Sequence, residues 1–165
     1  MTMLSDSIRG RVAHQLDALD FVLQGAEPAF VTARPPSGKW SAHEHIAHLA
    51  RVHALLLERI DTILREDRPP LTRYRAENDP EWPSWAQLPT AVALTRLRDS
   101  RAALARKIDA MNAADLGRVG LHPAFGPLTI PGWLEFFMLH EAHHLYQVLV
   151  RIAEARVQAA KATGA

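Results

Sequence analysis

Apolar residues recur along this chain at three- and four-residue steps in four separate stretches, the spacing of amphipathic helices. In the first, from about Ser5 to Gly25, Ile8, Val12, Leu16, Leu19 and Leu23 share one face, and Gly25 and Pro28 end it. The second begins at Ser41, where Ser41 and Glu44 form an S-x-x-E capping box. The hydroxyl accepts an orphan amide and the carboxylate accepts the cap residue's own. Its stripe is Ile46, Leu49, Val52, Leu56, Ile60 and Ile63, and Pro69-Pro70 lies beyond its end. The third runs from about Thr90 to Met111, with Leu94, Leu97, Leu104 and Ile108 facing in. Thr129 caps the fourth, which has Pro131 in its first turn. It carries Trp133, Phe136, Phe137, His140, His144, Val148 and Ile152 and continues to about Ala159.

The stretches between read as loops. "EPAFVTARPPSGKW" and "YRAENDPEWPSWAQLP" are rich in proline, and "NAADLGRVGLHPAFGPLT" is rich in turn formers. No segment alternates with period two over a useful length, so no strand is predicted. The expectation is an all-α fold, a four-helix bundle with long connecting loops, built as one domain over residues 1–165. Loops of this length are often functional, and here they could roof one end of the bundle.

Composition changes little: 48% apolar and 22% charged residues are the mix of an ordinary soluble protein. Net charge is +1, and the four arginines between Arg65 and Arg75 are diluted by Glu66, Asp67 and Glu77. No nucleic-acid partner is expected from that pattern. No apolar run reaches membrane length and "MTMLSDSIRG" lacks a signal-peptide pattern, so the expected location is the cytoplasm. The absence of cysteine matters more. It removes disulfides, thiolate zinc sites and a cysteine nucleophile, leaving His, Asp and Glu to hold any metal.

Histidine is the unusual component, nine residues, most of them in two short segments. In "HEAHH", His140 and His144 are one helical turn apart and continue the stripe set by Phe136. Two imidazoles on an apolar face each need partners, at a cost of roughly 1–3 kcal/mol for every unsatisfied group. A shared divalent metal is the economical solution; hydrogen bonding to side chains or water at a bundle end is the plain one. The same letters fit the H-E-x-x-H protease pattern, with Glu141 as base. The extended form fails, because Gln147 and Val150 stand where its glycine and last histidine would be. Glu141 is expected toward the side or surface of the bundle, and a protease is not supported.

Metal sites in bundles draw ligands from facing helices. The second helix offers His43, His45, His48 and His53, and periodicity does not choose among them. His45 and His53 lie nearer the centre of the apolar stripe, His48 on its edge, and His43 on the polar side, where it is expected to be solvated.

Taken together, "KWSAHEHIAHLARVH" at 39–53, a proline- and tryptophan-bearing loop, and "HPAFGPLTIPGWLEFFMLHEAHHLYQV" at 122–148 resemble the DinB-like superfamily. Its members include the mycothiol- and bacillithiol-dependent transferases and isomerases. W-S-x-x-E-x-x-x-H followed by a late H-x-x-x-H and Gln is the specific part. The resemblance implies a four-helix bundle with a metal at one end, zinc or nickel, held by His48, His140 and His144. His143 and Gln147 fall nearby, as supporting groups or plain helix surface. Trp40 and Glu44 match as well, but packing and capping explain them.

Three histidines leave a coordination position open, the layout of a catalytic site. In thiol-transferase relatives the metal is thought to activate a cofactor thiol, which for this cysteine-free chain would be a low-molecular-weight cosubstrate. The expected function is a metal-dependent enzyme of thiol S-transferase type acting on a small molecule. The alternatives are a metal-dependent hydrolase, a non-catalytic stress-response or binding module stabilised by its metal, and histidines without metal. Trp82, Trp85, His122 and Phe125 are candidates for the pocket wall. Related bundles often pair, which makes a homodimer an expectation.

Overall fold

The first predicted helix forms in two pieces, α1 (Asp6–His14) and α2 (Ala18–Leu23), in the computed structural model, which describes residues 4–162 and Gly164. A 3-10 turn at Gln15–Asp17 separates them. There the Gln15 amide reaches inward and donates to the Met138 carbonyl at 2.9 Å and to Glu141 at 2.8 Å. The break in the helix thus coincides with a polar tie to the last helix of the bundle.

The segment read as plain loop contains a short helix, α3 (Pro28–Thr32), opened by the proline that was expected to exclude regular structure. Proline at the first helical position lacks only an amide that would have had no partner. The next helix, α4 (Ala42–Arg65), begins as its capping box predicts, with Glu44 Oε2 accepting from the Ser41 amide at 2.9 Å and the Ser41 hydroxyl from the Glu44 amide. The Arg34 guanidinium clasps the same carboxylate. The tryptophan-bearing loop likewise includes α5 (Trp82–Ala86), and α6 (Thr90–Asp109) follows.

After α7 (Ala113–Leu116) comes the larger correction. Residues read as a turn-rich connection form an antiparallel hairpin, β1 (Val119–His122) with β2 (Gly126–Thr129). Gly126 closes the loop at φ +72°, a conformation that favours glycine. His122 shapes the loop itself, its Nδ1 accepting from the amides of Ala124 and Phe125, both at 3.1 Å. The chain leaving α4 pins the hairpin from outside, through Leu71 N to Leu121 O at 3.0 Å and Leu121 N to Pro69 O at 2.9 Å. From Thr129 the chain enters the long last helix, α8 (Ile130–Ala162).

Four helical segments make the bundle: α1 with α2, then α4, α6 and α8. α4 packs on both α6 and α8. Its Ile60 and Ile63 join Leu104 of α6 and Trp133, Leu134 and Met138 of α8 in one core cluster, and its Leu49 joins Leu97 of α6 in a second, all essentially without solvent contact. Burying each such side chain contributes roughly 1.5–3 kcal/mol. No helix among the described residues is long and apolar enough to cross a membrane.

The hairpin is fitted to this core at Gly120. A β-carbon there would stand 2.7 Å from Ile63 Cγ1 and 3.0 Å from Trp133 Nε1, which donates to the Gly120 carbonyl. Gly120→Ala is therefore expected to destabilise the fold by about 1–3 kcal/mol through overpacking. Urea denaturation checks it; an unchanged midpoint would mean that the hairpin can lift off α4 freely.

Candidate metal centre

α4 and α8 face each other along the bundle, and their histidines meet between them. His140 and His144, one turn apart on α8, present their Nε2 atoms 3.1 Å from each other. His48 of α4 brings its Nε2 to 3.3 Å from that of His140. One ligand atom from each of the three rings lies within 4.8 Å of the others. Metal–nitrogen bonds of about 2.0–2.1 Å in a tetrahedron place neighbouring nitrogens about 3.3–3.4 Å apart. The two separations at His140, 3.1 and 3.3 Å, are close to that edge, so the triad could hold a metal ion. Of the histidines that periodicity left open on α4, His48 is the one placed with the α8 pair.

His45 stands behind the triad, its Nδ1 2.9 Å from Nδ1 of His144. With the proton on His144 Nδ1 donated to His45, the Nε2 lone pair of His144 is left facing the other two rings. A partner on the second nitrogen is the usual way a ligand imidazole is oriented. Nδ1 of His48 and of His140 are buried without such a partner among the described residues, so within the triad it is His144 whose second nitrogen has one.

Burial pushes His48 down to about 3, with His140 and His45 adding to it. Burial, then the nearby His143 and His53, pushes His140 down to about 4. Burial, then Arg151 and His143, does the same to His45, again to about 4. His144 is lowered by burial first and by His48 and His140 next. The rings are thus neutral at pH 7, as metal ligation requires.

That neutrality makes the metal-free fold acid-sensitive. In the unfolded chain the rings titrate near about 6.5, so below that value the unfolded chain binds more protons than the folded one. Stability of the chelated protein should be complete above about 6.5. It should then fall by about 1.4 kcal/mol per pH unit for each histidine as pH drops toward the folded values of about 4 and about 3. Urea midpoints of chelated protein across that window measure it. A flat profile would contradict the buried, neutral cluster.

The remaining histidines are placed elsewhere. His53 is buried beneath the site, with Nε2 2.6 Å from Glu141 Oε2. His143 is on the solvent side, and its ring meets His144 edge-on at 5.2 Å. His43, expected to be solvated, is buried instead, with ring nitrogens at 2.9 Å from Thr90 Oγ1 and 3.0 Å from the Ala86 carbonyl. The short helix α5 and the start of α6 close over it. Gln147 accepts from Arg151 at 2.7 Å.

Glu141 is the second correction. Far from the surface, it is 0% exposed and accepts from His53, Gln15 and the Arg101 guanidinium. Burial pushes its pKa up, but the His53 hydrogen bond and the Arg101 guanidinium outweigh that and hold it below the usual carboxylate range. His53 is itself pushed down by burial. An ionised carboxylate bound to a neutral imidazole and a guanidinium is a structural node, and no base for a protease.

Aromatic rings surround the triad. Trp40 lies 5.1 Å from His48 and 5.5 Å from His45, with Trp82 a further 5.0 Å from Trp40 and Tyr74 5.6 Å from His48. Trp85, expected in the pocket wall, instead stacks on Arg96 at 4.9 Å. A cavity of about 340 Å³ opens beside His140, bounded by the hairpin, the chain after α4 and the first turns of α8, with His122 and Phe125 in its wall. A wider groove of about 540 Å³, between residues 35–37 and the end of α8, contains no histidine and lies apart from this chemistry.

A helical bundle with three histidines converging from two of its long helices defines the class. The chain belongs to the DinB superfamily, which it matches over residues 11–148. Its fold is similar to that of YfiT from Bacillus subtilis, described as "a probable metal-dependent hydrolase with an unusual four-helix bundle topology". The two superpose with a TM-score of 0.73 at 16% sequence identity, over 99% of this chain and 92% of that one. No curated protein matches the chain.

Proposed function

We propose that the protein is a metal-dependent enzyme of the thiol S-transferase type, acting on a small molecule, with His48, His140 and His144 holding one divalent ion, zinc or nickel. The observation that carries this reading is the convergence of three neutral imidazoles beside a cavity whose wall contains no carboxylate. Three histidine ligands leave room for one further donor. When bound, the ion lowers the pKa of a thiol or a water placed at that position.

The rest follows from the chain's own residues. Water attack is commonly helped by a neighbouring glutamate base, and the two glutamates adjoining the triad in sequence are committed. Glu44 serves the α4 cap and Arg34, while Glu141 serves His53, Arg101 and Gln15. A thiol is the stronger acid and needs less help. With no cysteine in the chain, that thiol is a low-molecular-weight cosubstrate. With His45 as acceptor of the His144 Nδ1 proton, Nε2 of His144 is free for the ion, and the rings of Trp40, Trp82 and Tyr74 lie against the triad.

Metal-dependent hydrolysis is the second reading, favoured by the description of YfiT. Cobalt-substituted protein separates the two. Added low-molecular-weight thiols should produce sulfur-to-metal charge-transfer absorption, followed by conjugation to an electrophile. If no thiol perturbs the spectrum while an ester or amide is turned over, the enzyme is a hydrolase. If neither occurs, the ion serves the bundle's stability alone.

A further inference from the structure

The cavity beside His140 carries two cations and no anion. Arg59 of α4 and Arg73 of the following loop both line it, and no aspartate or glutamate does. Arg59 is partly buried; its guanidinium lies 5.8 Å from the Trp133 ring and donates to the Thr72 carbonyl at 2.8 Å, with no salt bridge among the described residues. Arg73 makes no ion pair among the described residues. The Thr72 carbonyl and the Trp133 ring replace part of the hydration that the Arg59 guanidinium loses, and Glu58, whose charge also acts on it, is not in the cavity wall. Burial accordingly holds the Arg59 pKa below its ordinary value.

Another polar group in the wall, His122, has a fixed role. Nδ1 of His122 accepts two backbone amides, from Ala124 and Phe125, so the proton of the neutral ring is on Nε2. Burial, and after it the charges of Arg59 and Arg73, disfavour a second proton. His122 is therefore a neutral N–H donor beside two guanidinium forks. Val52, Phe125, Phe136 and Phe137 supply apolar lining, and Tyr74 and His140 complete the polar part.

We infer that this cavity binds a small-molecule carboxylate with an aromatic or branched apolar body, the carboxylate engaged by Arg59, Arg73 and the His122 Nε2–H and the body lying on the phenylalanines. Carboxylate matches the planar donor fork of arginine, and a volume of about 340 Å³ suits a ligand of roughly drug-fragment size. This names the substrate class of the proposed enzyme, and it rests on that reading only in assigning the occupant as substrate. The anion site itself does not need the ion.

The test is calorimetric titration with 3-phenylpropionate, its neutral amide and inorganic phosphate, on metal-loaded and on chelated protein. The acid should bind both forms, at least about 10-fold more tightly than the amide, and phosphate should compete poorly because it lacks the apolar body. Arg73→Gln, at an exposed loop position, should weaken the acid by about 10-fold and leave the amide unchanged, and Arg59→Gln should do the same if it folds. Equal affinity for acid and amide, competition by phosphate at the strength of the acid, or no loss in Arg73→Gln would overturn the proposal. A protein that binds no metal yet keeps the arginine-dependent preference for the acid would sink the enzyme reading and leave the carboxylate site standing.

Discussion

Glu141→Ala is expected to cost about 3–5 kcal/mol of folding stability, the range for removing one partner of a buried ion pair. The carboxylate is fully buried and accepts from Arg101, from His53 and from Gln15. Arg101 is also buried, and its Nη1 donates to the carbonyls of Arg11 and Val12, both at 3.0 Å. One node thus ties α1, α4, α6 and α8 together. Alanine would leave a guanidinium without counter-charge in the interior and His53 without its acceptor. Arg101→Met in the Glu141→Ala background should recover part of the loss, because it removes the stranded charge. Urea denaturation of the two single variants and the double variant measures the coupling. A loss under about 1 kcal/mol for Glu141→Ala would mean that water reaches Arg101 and that the node contributes little. Since Glu141 is no member of the triad, Glu141→Gln should keep stoichiometric metal.

The place of Glu141 was not legible from a single helical stripe, and the reason is physical. α8 buries two faces. Trp133, Phe137, His144 and Val148 form one, while Leu134, Met138, Glu141 and Leu145 form another at the same three- and four-residue spacing. A helix enclosed on two sides has no single polar face to assign a charge to. The apolar Leu134, Met138 and Leu145 around Glu141 were the available signal. His43 was misplaced for the same reason: every residue from Ser41 to Ala50 is buried, so the polar side of α4 at this end does not face water.

The elements that were legible carry local chemistry strong enough to act alone. Ser41 and Glu44 cap α4 as read, Thr129 accepts from the Gly132 amide at 3.4 Å at the start of α8, and the long helices follow their stripes. The hairpin was not legible because its strands are four residues each and hold Gly120, Gly126 and Pro127, which read as turn. What stabilises it is tertiary: Pro69 and Leu71 from one side, Ile63 and Trp133 beneath. That hairpin supplies His122, and with it one wall of the cavity, so the sequence led to the histidine triad more directly than to the pocket beside it.

His144→Ala is expected to abolish stoichiometric metal binding, whereas His14→Ala, at an exposed position of α1, leaves it intact. His144 is the junction of the cluster. Its Nε2 faces His140 and its Nδ1 faces His45, so the substitution removes one ligand and the triad imidazole that, among the described residues, has a partner on its Nδ1. His45→Ala removes the neighbour but no ligand, and should weaken binding by about 10–100-fold without abolishing it. The ion should also stabilise the fold, since a ligand that binds only the folded state adds about 2.7 kcal/mol at a free concentration of about 100 Kd and about 4.1 kcal/mol at about 1,000 Kd. Chelation should therefore lower Tm reversibly in the parent protein and in His14→Ala, and leave His144→Ala unmoved. Metal analysis of untagged protein, paired with melting curves before and after chelation, checks both parts. Equal metal content in the His144→Ala and His14→Ala variants would remove His144 from the ligand set. An unchanged melting curve after verified metal loss would show that α4 and α8 close on each other through their apolar contacts alone, with the ion left free to serve chemistry.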